Sequence, residues 1–118
     1  MPLNNLLPLR IACDGEGASG KSTAARLISK KYNLFYMNSG LLFRYASFLI
    51  IKHKPKKIIF FLQKRFKNLN YKKIVQINLH SQKISNHVAI LAKQKKVRQI
   101  MRIFQKKIIR KHPRICCE

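Results

Sequence analysis

The chain has almost no acid. Its 118 residues carry 3 Asp+Glu against 26 Lys+Arg, a formal net charge of +23. The acids are Asp14, Glu16 and Glu118, so no carboxylate side chain stands between Gly17 and Cys117. Internal salt bridges are nearly excluded, and self-repulsion works against compactness at low salt. Tryptophan is absent, and there are 3 cysteines, Cys13, Cys116 and Cys117. That is no disulfide framework, and the adjacent pair cannot form an ordinary bridge with each other. No C-x-x-C or Cys/His spacing suits zinc. His53, His80, His87 and His112 are scattered and are expected in solvent. Long apolar runs are missing too. Leu41 to Ile51 is interrupted by Arg44 and is too short to span a bilayer. Met1 to Leu9 lacks a basic n-region and does not read as a secretory leader. A reducing cytoplasm is the expected compartment.

Two explanations compete for the charge. One is a surface built for nucleic acid or anionic membrane. The other is compositional drift toward Lys, Ile and Asn along the whole chain. The basic residues are dispersed rather than gathered in a tail, which favours drift. Such a chain still binds polyanions, weakly and without sequence preference. A dedicated nucleic-acid module would need base-stacking aromatics on a basic face. Phe60, Phe61, Phe66 and Phe104 are instead expected in helix cores.

Glycine is scarce, and three of the four glycines fall within one short run, Gly15-Glu16-Gly17-Ala18-Ser19-Gly20-Lys21-Ser22. This run matches the phosphate-loop pattern G-x-x-x-x-G-K-S/T at every fixed position. The apolar stretch Leu9-Arg10-Ile11-Ala12-Cys13 before it reads as a short buried strand. The run Lys21 to Tyr32 after it reads as a helix. A strand, a glycine-rich turn and a helix N-terminus make an anion site, since backbone N–H groups turn inward and the helix dipole adds positive potential. Lys21 would reach the outer phosphates as a point charge. The Ser22 hydroxyl would ligate magnesium. A glycine-rich turn arising by chance is the alternative, and the strand-then-helix context argues against it.

At this length the chain is one domain or part of one. The first strand is expected over Leu9 to Asp14 and a second over Leu34 to Met37. Asn38-Ser39-Gly40 is a turn and helix-start signal. Leu41 to His53 reads as a largely buried helix. Pro55 can open a helix from Lys56 to about Leu69, with Ile58, Leu62, Phe66 and Leu69 on one face. Ile74 to Leu79 alternates only in part and suits a strand or an irregular segment. Ser81 can cap a helix through Ala92 that buries Ile84, Val88 and Leu91. Lys96 to Lys111 is a final helix burying Val97, Ile100, Met101, Phe104 and Ile108. Its Arg98, Arg102, Lys106 and Arg110 form a solvated face. His112-Pro113 ends it. Arg114 to Glu118 looks like the beginning of another strand. The order argues for an α/β fold with a parallel sheet of the phosphate-loop type, incomplete, with a helix-rich remainder.

Three segments in order resemble the bacterial cytidylate kinases. Asp14-Gly15-Glu16-Gly17-Ala18-Ser19-Gly20-Lys21-Ser22-Thr23 resembles their opening loop. Asn38-Ser39-Gly40-Leu41-Leu42-Phe43-Arg44 resembles Asp-Ser/Thr-Gly-x-x-Tyr-Arg. Ile84-Ser85-Asn86-His87-Val88-Ala89, then Val97-Arg98, resembles V-S-x-x-A-S followed by V-R. The resemblance implies transfer of a phosphoryl group from ATP, with Mg2+, to CMP or dCMP in pyrimidine nucleotide metabolism. It implies one partial nucleoside monophosphate kinase domain over 1–118. Residues 1–37 are its phosphate-loop part and 38–118 its acceptor-nucleotide region and helices. A monomer is expected, with no membrane partner. The resemblance makes Lys21 catalytic and makes Gly15 to Thr23 the ATP-binding loop. It places Ser39 beside the acceptor nucleotide, Arg44 on its monophosphate and Arg98 on the cytosine. Asn38, Phe43 and Ala89 depart from the family's Asp, Tyr and Ser. Glu118 matches the acid just before the family's Gly-Arg-Asp segment. The second phosphate arginine, the base-reading aspartate and the lid arginines have no counterpart before it. The chain therefore reads as the N-terminal part of such a kinase, with its own activity impaired or lost.

Overall fold

The computed structural model describes residues 7–14 and 20–118. The chain divides into two compact units, one of Met1–Ser39 with Lys106–Glu118 and one of Gly40–Gln105. Sequence reasoning divides it after Met37, whereas the residues from Lys106 onward join the first unit.

The first unit is built on three parallel strands, β1 (Leu9–Ala12), β2 (Phe35–Met37) and β3 (Arg114–Cys117), in the order β1-β3-β2. Leu9 pairs with Arg114 and Ala12 with Cys117, while Phe35 pairs with Ile115 and Met37 with Cys117. The last strand is thus as long as β1 and stands at the centre of the sheet. Sequence reasoning sees only its beginning, because four residues carry no sign of which strands flank them. Ile115 and Cys116 are buried, as a central strand requires. In β1, half-buried Leu9 and Ile11 alternate with exposed Arg10 and Ala12.

Helix α1 (Lys21–Tyr32) has the expected bounds. It presents Ala25 and Ser29 inward, one turn apart. Small side chains there allow close approach to the sheet, and Ser29 Oγ donates to the Ala25 carbonyl at 2.8 Å. Ala25, Leu34 and Cys116 form a buried cluster packed by Leu9, Ile11, Cys13, Ile28 and Tyr36. Asn33 ends the helix at φ 53, the left-handed C-terminal signal that Asn tolerates.

The second unit is helical. It takes in most of α2 (Ser39–His53), then α3 (Ile58–Lys67), the single turn α4 (Tyr71–Ile74), α5 (Gln82–Leu91) and most of α6 (Lys95–Lys111). Leu42, Leu62, Phe66, Ile74, Leu79, Leu91, Val97, Met101 and Phe104 are buried. Phe66 meets Phe104 edge-on at 5.6 Å between ring centroids. Asn70 caps α4 and Ser81 caps α5, each accepting a first-turn N–H. Val75 to Leu79 makes no strand; Ile74 ends the helical turn and buried Leu79 anchors the approach to α5. Phe60 is no core residue: it is 56% exposed and the Lys64 ammonium lies over its ring. Arg98, Arg102, Lys106 and Arg110 are all exposed along α6, as its periodicity requires. No helix among the described residues is long and apolar enough to cross a membrane.

Candidate active site

Residues 15–19 of the phosphate loop, and with them the proposed roles of Gly15, Glu16, Gly17, Ala18 and Ser19, lie outside the described residues. The same holds for the side chain of Lys21. The loop's far end is described. Gly20 is the N-cap of α1 at φ 80, a left-handed conformation that a Cβ would strain. The chain therefore enters α1 through glycine, and the first-turn N–H groups of Lys21 to Thr23 stand at the helix N-terminus. Exposed Thr23 and half-buried Ser22 stand in that turn.

The central position of β3 decides what meets Ser22. The residue after a central parallel strand emerges at the carboxyl edge of the sheet, where open α/β folds bind ligands. That residue is Glu118. Its N–H donates to the Met37 carbonyl at 2.8 Å, so it continues the line of β3 beside β2. One carboxylate oxygen accepts the Ser22 hydroxyl proton, and the other accepts that of Tyr36. Its carbonyl accepts from Ser39 twice, from the backbone N–H at 3.0 Å and from Oγ at 2.6 Å. Four elements, α1, β2, β3 and the start of α2, are tied at one residue.

Chemically this is an oxygen-rich corner at a helix N-terminus. A Ser hydroxyl and a carboxylate are hard donors of the kind magnesium takes. Magnesium usually uses one or two protein oxygens and fills its octahedron with phosphate oxygens and water. Ser22 and Glu118 fit that demand. Among the described residues no cluster of three or more His, Cys, Asp or Glu is formed, and magnesium with a nucleotide needs none. Cys13 and Cys116 sit behind this corner with sulfurs 3.9 Å apart. Burial, then the Cys116 neighbour, pushes the Cys117 thiol up, which keeps it protonated rather than nucleophilic.

The expected acceptor residues are divided between the two units. Ser39 belongs to the corner just described. Arg44 and Arg98 lie in the helical unit, bonded to backbone carbonyls there. Half-buried Arg44 donates through Nη1 to Leu79 at 2.9 Å, holding the irregular segment before α5. Exposed Arg98 donates to the carbonyls of Ala92 and Lys93 at 2.9 and 2.8 Å and so caps the end of α5. Two histidines are not in solvent: His87 Nδ1 bonds buried Ser47 Oγ at 2.8 Å, and His112 stacks on Phe35 at 3.8 Å.

Sequence reasoning missed the link of Glu118 to Ser22 and the part of Tyr36. A signal existed for the first. In a chain with 3 acids, one follows directly on the apolar stretch Ile115-Cys116-Cys117. Nothing in the sequence singles out Tyr36.

A parallel sheet, with a phosphate-loop motif joining β1 to the helix after it, defines a phosphate-loop α/β protein. The family model for cytidylate kinase matches residues 11–118, and the chain belongs to that family. Its relatives include the cytidylate kinase of Phytoplasma mali (strain AT), 32% identical over 120 residues, covering 88% of this chain and 52% of that protein. The cytidylate kinase of Clostridioides difficile (strain 630) is 32% identical over 111 residues, covering 85% of this chain and 51% of that protein. A bifunctional pantoate ligase/cytidylate kinase of Prochlorococcus marinus (strain MIT 9301) is 38% identical over 114 residues, covering 83% of this chain and 22% of that protein. The chain spans about half the length of the two cytidylate kinases it matches.

Proposed function

We propose that the chain carries the ATP-side site of a kinase that phosphorylates CMP and dCMP to CDP and dCDP. The observation that supports this most is the meeting of Glu118 with Ser22 at the first turn of α1. Lys21 and the loop amides hold the triphosphate, drawing its negative charge to the helix N-terminus. Ser22 and Glu118 would hold magnesium, which would supply charge neutralisation for the phosphates. Ser39 presents the turn toward the acceptor, while Arg44 and Arg98 supply cations for its phosphate and base. Phosphoryl transfer depends on such positioning and charge stabilisation. Nucleotide binding is therefore expected from these residues. The site is expected to work in the cytoplasm.

The test is titration of ATP with Mg2+ at physiological salt, where attraction to a +23 chain is screened. Losing a charge-assisted phosphate contact in Lys21→Ala should cost about 1.5–3 kcal/mol, more than a tenfold loss of affinity. Equal affinity in both proteins would remove the assignment. Binding to DNA or RNA should be sequence-blind and fall steeply as salt is added.

A further inference from the structure

We infer that Tyr36 is a positioning residue for the magnesium carboxylate, holding Glu118 through its phenolic hydroxyl. This rests on the reading of Ser22 and Glu118 given above. Glu118 ends in a carboxylate on a flexible stem, and magnesium tolerates little departure from octahedral geometry. A free glutamate would lose rotamer freedom each time it met the metal. In this chain the Tyr36 hydroxyl already occupies one carboxylate oxygen, and the Ser22 hydroxyl meets the other. The carboxylate is thus aimed at the helix N-terminus before any nucleotide arrives.

Tyr36 suits the task. It lies in the middle of β2, and its ring packs against the cluster of Ala25, Leu34 and Cys116. Only two side-chain torsions place its hydroxyl, and packing restricts both. A phenol donates a hydrogen bond to the carboxylate without adding charge that would compete with the metal. The guanidinium of Arg26 lies 5.9 Å from the ring centroid, over the ring face. That cation, from the helix that also carries Ser22, draws on the ring and favours the phenol as donor. Hydrogen-bond partners of metal ligands commonly set metal affinity in this way. The plain alternative is a strand tyrosine present only for its ring. Tyr36→Phe keeps the ring and removes the bond.

Binding of a fluorescent ATP analogue to the full chain is measured against Mg2+ concentration, and again in EDTA. In Tyr36→Phe the Mg2+ concentration for half-effect should rise about tenfold, with affinity in EDTA unchanged. Glu118→Gln serves as the reference. If Glu118→Gln raises the Mg2+ requirement and Tyr36→Phe does not, Tyr36 only packs and the inference is wrong. If Glu118→Gln leaves the Mg2+ requirement unchanged, the metal reading of Glu118 fails and the role of Tyr36 falls with it. A second measurement avoids altering Tyr36. In wild-type chain labelled with 3-fluorotyrosine, Mg2+ added to the ATP complex should shift one of the four tyrosine fluorine signals. Glu118→Gln should abolish that shift. A set of signals indifferent to Mg2+ would overturn the proposal.

Discussion

The two units of this chain use their polar residues in opposite ways. In the sheet unit, side chains from distant parts of the sequence bond one another: Ser22 to Glu118 and Tyr36 to Glu118. In the helical unit, the cations singled out by family resemblance bond backbone carbonyls, Arg44 at Leu79 and Arg98 at Ala92 and Lys93. The first arrangement converges on a point and leaves an anion and a hydroxyl where a metal-bound nucleotide can be met. The second anchors a turn and closes a helix end. A guanidinium has five N–H donors, so one bond to a carbonyl leaves most of its fork for a ligand. Long-range polar order in this chain is thus set in the sheet unit, while the helical unit holds its cations through local contacts.

The contrast between the units is most vulnerable at the centre of the sheet. Cys116 is fully buried between the other two strands, against α1. Cys116→Asp puts an unpaired carboxylate there and should cost about 4 kcal/mol or more. Complete domains have only about 5–15 kcal/mol in total. Amide hydrogen exchange should show protection lost first in residues of β1, β2 and β3. Loss spread evenly over the helical unit would mean that the sheet holds no separate share of the order.

A smaller cut goes into the helical unit. Ser81 accepts the N–H of Ile84 at 3.2 Å and is the N-cap of α5. Ser81→Ala should cost about 1 kcal/mol, read as a shift in the denaturant midpoint, with Mg2+-dependent ATP binding unchanged. A change in ATP binding would show that the helical unit sets the sheet site as well.

The smallest effect concerns pH. Burial holds the Cys117 thiol above its ordinary 9.0, and the Cys116 neighbour adds to it. The folded chain therefore keeps a proton that the unfolded chain has lost. This share of stability is whole below the ordinary thiol value and declines as pH rises toward the folded one. Urea midpoints measured from neutral to alkaline pH should fall in the wild type and fall less in Cys117→Ser. Identical slopes would exclude the thiol as the cause.

What the sequence revealed also differs between the units. The bounds of α1 and the buried face of α6 follow from periodicity alone, since a helix needs only its own neighbours. The cap at Ser81 likewise stands in local sequence. Strand order does not. Ile115 and Cys116 announce burial but not position, and the meeting of Ser22 with Glu118 requires knowing that β3 lies beside β1. The single turn at Tyr71 was hidden by the weak alternation after it, where no strand partner exists among the described residues. Their scattered positions put His87 and His112 in solvent, whereas Ser47 and Phe35 hold them by contacts made in the folded chain.

The strand order has a consequence in time as well as in space. Among the described residues β1 and β2 are not hydrogen-bonded to each other, and each pairs with β3. Residues 9 to 113 have therefore all been made before any ladder of this sheet can close. Until residues 114–117 leave the exit tunnel, the phosphate-loop strand has no partner in this sheet, and α1 has an incomplete surface to rest on. Helices of the second unit can form from local contacts while the sheet waits for its longest loop closures. The corner formed by Ser22, Tyr36, Ser39 and Glu118 is then the last part of the described structure to come into being.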